Sequence, residues 1–273
     1  MDNNKLWVII PFYLDTEALE QCLLCLRQSS YKNWDVFVRD NSQDNIYFTA
    51  AVNEGLKAGL ADPTVSNFLV LNQDAYLQPT AVEQLLAHLA QFPECGIACP
   101  LQTDQNQHVT WGGSLQAFPL GKHMSLPLAQ YDRPFPTFWA NGACMLIRRQ
   151  VVEEIGLFDK NLRFICSDAD YSFTARTRGW EVHVVPSARA EHTLSASSGK
   201  GSDAINLIKA QDALYFYEKW LSGDVYRRIS CEGPSLVRQE MEDWGHALRT
   251  HINTQGARLD QVAADTCAKV VSD

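Results

Sequence analysis

No apolar run in this 273-residue chain approaches the roughly 20 residues of a membrane-spanning helix, so no transmembrane segment is expected. Positive charge is scarce: 23 Lys and Arg stand against 32 Asp and Glu, a formal net charge of -9, which argues against unassisted binding to nucleic acid or anionic lipid. Peripheral contact with a membrane would need a partner or a local basic patch. Met1-Asp2-Asn3-Asn4 leads straight into a short apolar strand and not into a secretory leader, so a cytoplasmic location is the expectation. The eight cysteines form neither a disulfide framework nor the second close pair that would complete a zinc site. Cys22 and Cys25, in ALEQCLLCLRQ, have the spacing of two neighbouring core positions on a helix, without the surroundings of a redox motif. No internal repeat is visible.

What the chain does have is the length for one large α/β domain, or for a domain with a small appendage, with a core that needs no crosslinks. Leu6 to Ile10 (LWVII) reads as a buried strand closed by Pro11, and Asp15 or Thr16 can cap an amphipathic helix to about Gln28. A strand then ends at Asp40, a helix spans Thr49 to Leu60, and Asn67 to Leu71 makes the next strand. Pro79 opens a further helix that Phe92-Pro93 closes, before a strand at Gly96 to Pro100. Leu101 to Thr137 has no clear period, and so long an irregular stretch in a compact domain is usually functional. Order returns with a strand through Ile147, helices at Gln150 to Ile155 and after Asp168, a strand Glu181 to Val185, and a helix that Asp203 can cap. This alternation predicts an α/β fold of Rossmann-like type, a mostly parallel sheet flanked by helices, with ligands at the carboxyl ends of its strands. Residues 1–221 are expected to form that domain and 222–273 a C-terminal helical extension and tail.

The chemistry is concentrated in WANGACMLIRRQVVEEIGLFDKNLRFICSDADYSFTARTRGWEVHVVPSARAEH, from Trp139 to His192, and in Asn72-Gln73-Asp74, which ends the apolar run FLVL. A carboxylate where a buried strand emerges is placed to hold a cation, and His192, after a later strand, can add a nitrogen ligand. Each residue also has a plainer reading. Asp168 could cap the helix that follows it, and Asp40-Asn41-Ser42 is an ordinary turn sequence. His192 could be structural, Gly142 could serve close backbone approach, and tryptophans 111, 139 and 180 could be core residues instead of platforms for sugar rings. The order in which these features occur favours a metal-assisted transferase.

In that order the chain resembles the family-2 glycosyltransferases of GT-A fold, in their bacterial rhamnosyltransferase-like branch, over about residues 6–220. VIIPFY is similar to the opening strand and turn, DNSQD to the nucleoside-binding segment, and NIYFTAAVNEGLKAG to the Asn-x-Gly-Phe-like helix. LNQDAYLQP resembles the local form of the DXD metal motif, NGACMLIRRQVVEEIGLFDKNL the acceptor-side segment, and SDADYSFTARTRGW a Glu-Asp-x-Asp helix start. The chain departs from the pattern at Leu14, Tyr47 and Ala51, which replace an asparagine and two glycines and crowd the nucleotide side, and at Ser167, which replaces an acid.

The resemblance implies an inverting, metal-dependent glycosyltransferase of polysaccharide biosynthesis, using a UDP- or dTDP-sugar and a glycan or glycolipid hydroxyl. Residues to about 100 would take the nucleotide-sugar and residues 101–221 the acceptor. Donor binding would fall to Pro11, Tyr13, Asp40, Asn53, Asn72 and Asp74, and metal binding to Asp74 and His192, with Mn²⁺ favoured over Mg²⁺. Asp168 would be the catalytic base, with Trp139, Gly142 and Asp170 on the acceptor side. Lys200, in the SASSGKGS segment, could close over the pyrophosphate. The rival readings are a noncatalytic nucleotide- or glycan-binding module working with a partner enzyme, and a nucleotidyltransferase, which would want a Gly- and Lys/Arg-rich first loop where this chain has Pro11-Phe12-Tyr13-Leu14. The C-terminal segment could dock on a partner or pair two copies of the chain.

Overall fold

A computed structural model describes residues 5–114, 123–192, 203–221, 243 and 245–254. The first half alternates as β1 (Lys5–Phe12), α1 (Thr16–Gln28), β2 (Trp34–Asp40), α2 (Tyr47–Leu60), β3 (Val65–Leu71), β4 (Tyr76–Leu77), α3 (Ala81–Gln91) and β5 (Cys95–Thr103). There follow β6 (Val109–Trp111), β7 (Phe135–Pro136), β8 (Cys144–Arg148), α4 (Arg149–Ile155), α5 (Ser167–Arg176) and β9 (Glu181–Glu191). Last come α6 (Asp203–Phe216) and a π-helical turn, Tyr217–Leu221. Within the stretch from Leu101 to Thr137, β5 continues to Thr103, β6 pairs with β5 and β7 pairs with β9. Asp203 lies inside the first turn of α6, where its charge suits the helix dipole. Lys200 and its loop lie outside the described residues, as does most of the segment after 221, of which residues 245–254 are helical.

The sheet runs β2-β1-β3-β8-β5-β9-β4. β1 is parallel to β2 and β3, and β5 is parallel to β9. β8 is antiparallel to both of its neighbours, so the two parallel groups point the same way and the sheet is mostly parallel. The central strands are buried on both faces, and their side chains alternate between two cores, as the two-residue period of a strand requires. Leu6, Val8 and Ile10 of β1, with Leu69 and Leu71 of β3, pack under α1 and α3. Ile9, Phe68 and Val70 face α2, α4, α5 and α6 on the other side. α1 is capped as its sequence indicates, Asp15 accepting from the Ala18 N–H at 3.0 Å.

The α2 helix lies close on β1 because Gly55 has no side chain. A Cβ there would meet Ile9 Cγ2 at 2.4 Å, and the Trp7 indole donates to the Gly55 carbonyl at 3.0 Å. Gly55→Ala sets a helix-propensity gain of about 1 kcal/mol against overpacking of about 1–3 kcal/mol. Ile9 is fully buried in a central strand and has no room to yield, so overpacking wins. Gly55→Ala is expected to lower the urea midpoint at unchanged m-value; an equal or higher midpoint would refute this account of the packing.

Candidate active site

The reversed strand β8 brings the chain's chemistry to one edge. Leu71, at the end of β3, pairs with Cys144 at the start of β8, and the Asn72 N–H donates to the Ala143 carbonyl at 2.8 Å. On the other side of β8, β9 leaves the sheet beside β5, where the His192 N–H donates to Thr103 O at 2.9 Å. The ends of β3 and β9 and the turn before β8 therefore border one crevice, lined by Asn72, Gly142, Asp168 and His192 together with Phe48, His123, Trp139 and Asn141.

Asp74 and His192 meet as their positions in sequence suggest. His192 Nε2 lies 3.7 Å from Asp74 Oδ1. The other ring nitrogen, Nδ1, is 3.0 Å from Gln102 Oε1 and donates its proton there, which leaves the Nε2 lone pair turned to the carboxylate. Burial holds the imidazole pKa below its ordinary value, against the pull of Asp74, so the ring is neutral at pH 7. A neutral imidazole oriented by a buried amide, with a carboxylate across a gap wider than a hydrogen bond, fits a divalent cation held by one nitrogen and one oxygen. Gln102 did not emerge from the sequence reading; the available signal was a polar residue at the end of the apolar run GIACPL.

Asp168 lies in the first turn of α5 and does not cap it. The residue before the helix pair of Ser167 and Asp168 is Cys166, at φ 64°, in the left-handed region that a non-glycine residue seldom adopts. This turns Asp168 back toward β8, where its Oδ2 accepts from the Gly142 N–H at 2.8 Å and its Oδ1 from its neighbour Ala169 at 2.8 Å. Gly142 permits the approach, since a Cβ there would sit 3.2 Å from both Asp168 Cβ and Phe48 Cζ. Burial raises the Asp168 pKa above the usual carboxylate value, and the backbone N–H donors, those of Gly142, Ala169 and Asp168 itself, only partly offset it. A carboxylate held in place but short of solvation accepts a proton more readily than one in water.

The remaining candidates divide. Trp139 lines the crevice, nearly buried, with its ring against Trp111 and His123. Asp40 is exposed at the end of β2, its pKa lowered by the hydroxyl and N–H of Ser42. Pro11 and Tyr13 flank the end of β1, and Tyr13 is held by Gln73, whose amide accepts from Tyr13 N at 2.6 Å and donates to Tyr13 O at 3.2 Å. Leu14 and Tyr47 adopt φ 58° and 65°, so the backbone keeps the left-handed turns that asparagine or glycine would favour. Pro11, Tyr13 and Asp40 are not among the residues that line the crevice, and two further candidates are turned away from it. The Asn53 amide is used up on the backbone of Phe158, donating to its O and accepting from its N, both at 2.9 Å. Asp170 is turned into the core, where its Oδ1 accepts from Trp220 Nε1 at 2.6 Å and Lys219 Nζ at 2.7 Å, docking the turn after α6. The helical period explains this, because Asp168 and Asp170 stand two positions apart and cannot share a face.

Comparison with known proteins bears on the family and the fold. The chain is 27% identical over 180 residues to the N-acetylglucosaminyl-diphospho-decaprenol L-rhamnosyltransferase of Mycobacterium tuberculosis, covering 57% of this chain and 58% of that protein. It is 25% identical over 256 residues to the O-antigen biosynthesis protein RfbC of Myxococcus xanthus, covering 81% of this chain and 20% of that one. This chain thus spans little more than half the length of the mycobacterial relative. Among solved structures, GalNAc-T7 with UDP, GalNAc and Mn²⁺ shares the fold at TM-score 0.60 and 14% identity, over 97% of this chain and 57% of that chain. The mannosyltransferase PcManGT of Pyrobaculum calidifontis, in complex with GDP-Man and Mn²⁺, does so at TM-score 0.55 and 16% identity, over 98% and 79%. The profile described as glycosyltransferase like family 2 matches residues 8–207, and with the GT-A type sheet this shows the chain to be a member of that family.

Proposed function

We propose that this chain is an inverting glycosyltransferase that moves a sugar, a hexose or deoxyhexose, from a UDP- or dTDP-linked donor to a hydroxyl of a glycan or glycolipid. The observation that carries this reading is the shared crevice, with a desolvated carboxylate, Asp168, on one wall and the His192–Asp74 pair at the other. Asp168 takes the proton from the acceptor hydroxyl as that oxygen forms its bond to the anomeric carbon. The bond from that carbon to the donor phosphate breaks on the opposite face, and the nucleoside diphosphate leaves. A divalent cation bound by Asp74 and His192 would offset the charge on the leaving phosphate, and the nitrogen-containing set suits Mn²⁺ better than Mg²⁺. Asp40 accepts the imide N–H of the pyrimidine, Pro11, Tyr13 and Asn72 border the nucleoside, and Trp139 presents an apolar wall to the acceptor. The mycobacterial relative's name, which pairs a deoxyhexose with a diphospho-polyprenol acceptor, supports a lipid-linked glycan as acceptor.

Two outcomes test this. With UDP, dTDP and GDP, each with and without Mn²⁺, one pyrimidine nucleotide is expected to raise Tm by about 5 °C at a hundred times its Kd, only with metal, and Asp74→Asn should abolish the rise. No shift with any nucleotide would remove the donor site. Asp168→Asn is expected to lower kcat about 10²–10⁴-fold while keeping the nucleotide-induced shift. Its stability should report the role as well. The folded-state pKa of Asp168 is raised, so the wild type's stability from this group is present at low pH and is lost as pH rises through that pKa. Asn titrates nowhere, so the Tm of Asp168→Asn relative to wild type should climb as pH rises above the ordinary carboxylate value of about 4. A flat difference would mean that Asp168 is not desolvated.

A further inference from the structure

The amino ends of β5 and β9, at the edge of the sheet opposite the crevice, gather a second set of ligating side chains. His88 on the last turn of α3, Cys95 opening β5, and His183 near the start of β9 are all buried, and one ligating atom from each lies within 4.8 Å of the other two. His183 Nε2 stands 2.7 Å from Glu181 Oε2 and donates its proton there, so the Nδ1 lone pair faces inward, 2.8 Å from His88 Nε2. An imidazole whose far nitrogen is tied to a carboxylate is the arrangement that orients a metal-bound histidine. Burial and the neighbouring ring push the His88 pKa down to about 4, which keeps that imidazole neutral. The charged groups nearby are Arg148, which donates to the Cys95 carbonyl, and the carboxylates Glu94 and Glu181. With a protonated thiol this neighbourhood carries one net negative charge. A dication that displaces the thiol proton brings it to neutrality.

We propose that His88, Cys95 and His183 bind a thiophilic divalent cation, zinc in preference to manganese or magnesium, and that this ion staples the end of α3 to the amino edge of the sheet. Two imidazoles and a thiolate are a set that zinc takes in tetrahedral geometry, with water in the fourth position. Binding requires the ring nitrogens to part by about 0.5 Å, to the spacing set by metal–nitrogen bonds of about 2.0–2.1 Å. It also requires Cys95 Sγ to give up its 3.3 Å contact with Ile97 O, the proton of Cys95 to leave to solvent, and the proton that His88 Nε2 shares with His183 to move to His88 Nδ1. The site is separate from the Asp74–His192 pair: His183 pairs with Ala98 on β5 and Glu191, next to His192, pairs with Thr103, five residues or roughly 17 Å further along that strand, and no single ion serves both.

The test uses the full chain, stripped of metal, carrying Asp74→Asn so that the crevice pair is disabled. Cobalt(II) is the probe. One equivalent should produce thiolate-to-cobalt charge transfer and tetrahedral d–d absorption, which one equivalent of zinc displaces. Adding Cys95→Ser should abolish the thiolate band, and His183→Gln should abolish or shift it. Zinc at a hundred times its Kd should raise the Tm of the Asp74→Asn protein by about 5 °C, whereas Mn²⁺ and Mg²⁺ should not. The absence of a thiolate band in the Asp74→Asn protein, or its persistence after Cys95→Ser, overturns the proposal. Should Cys95→Ser not fold, His88→Gln and the zinc-over-manganese selectivity of the Asp74→Asn protein decide in its place.

Discussion

The ladder between β3 and β8 is the interaction on which the rest depends. A wholly parallel sheet would present only the ends of its strands and the helices that follow them at the ligand edge. Inserting one reversed strand places the turn before β8 at that edge too, directly against Asn72. The pairing also carries the second half of the molecule, because β5 and β9 attach to the sheet through the far side of β8. Shifting the register of this ladder by one residue would exchange the two faces of β8 between the two cores and move Gly142 away from Asp168. The buried faces therefore enforce the geometry of the crevice.

Around that edge the chain accepts local costs that the core offsets. Leu14, Tyr47 and Cys166 all hold left-handed backbone conformations: Leu14 follows β1, Tyr47 opens α2, and Cys166 lines the crevice. Asp168 is half-buried at the crevice wall, and the protein around it desolvates its charge more than the backbone N–H groups of Gly142, Ala169 and Asp168 itself compensate. His192 is treated in the opposite sense: it is buried neutral, with one nitrogen committed to Gln102 and the other left available. Burial makes the first easier to protonate and the second harder, because it disfavours charge on a carboxylate and on an imidazole alike.

Much of the fold was legible along the chain. The apolar runs that became β1, β3 and β5, the cap at Asp15 and the positions of Asp74 and His192 all follow from local pattern, since strands buried on both faces leave continuous hydrophobic segments. The ends of strands were read short: β9 runs six residues past Val185, because its continuation, PSARAE, is held by pairing with β5 and β4 and not by its own composition. β6 and β7 were missed for the same reason. Asn53 and Asp170 were assigned to the site from their place in motifs, but their side chains satisfy Phe158 and the Lys219–Trp220 turn, partners 105 and 50 residues away from Asn53 and Asp170 in turn.

The sequence by itself determined the alternating elements, the family resemblance and the residue types available for chemistry, because these depend on hydrophobic period and on short motifs. Tertiary structure decided which of those residues meet. Gln102 became the partner of His192, Gly142 the partner of Asp168, and His88, Cys95 and His183 neighbours, although cysteine spacing had excluded only a zinc site built from close pairs. Side-chain partners far apart in sequence are chosen by strand order and register, and those are set by how the whole apolar surface is buried, which no local segment encodes.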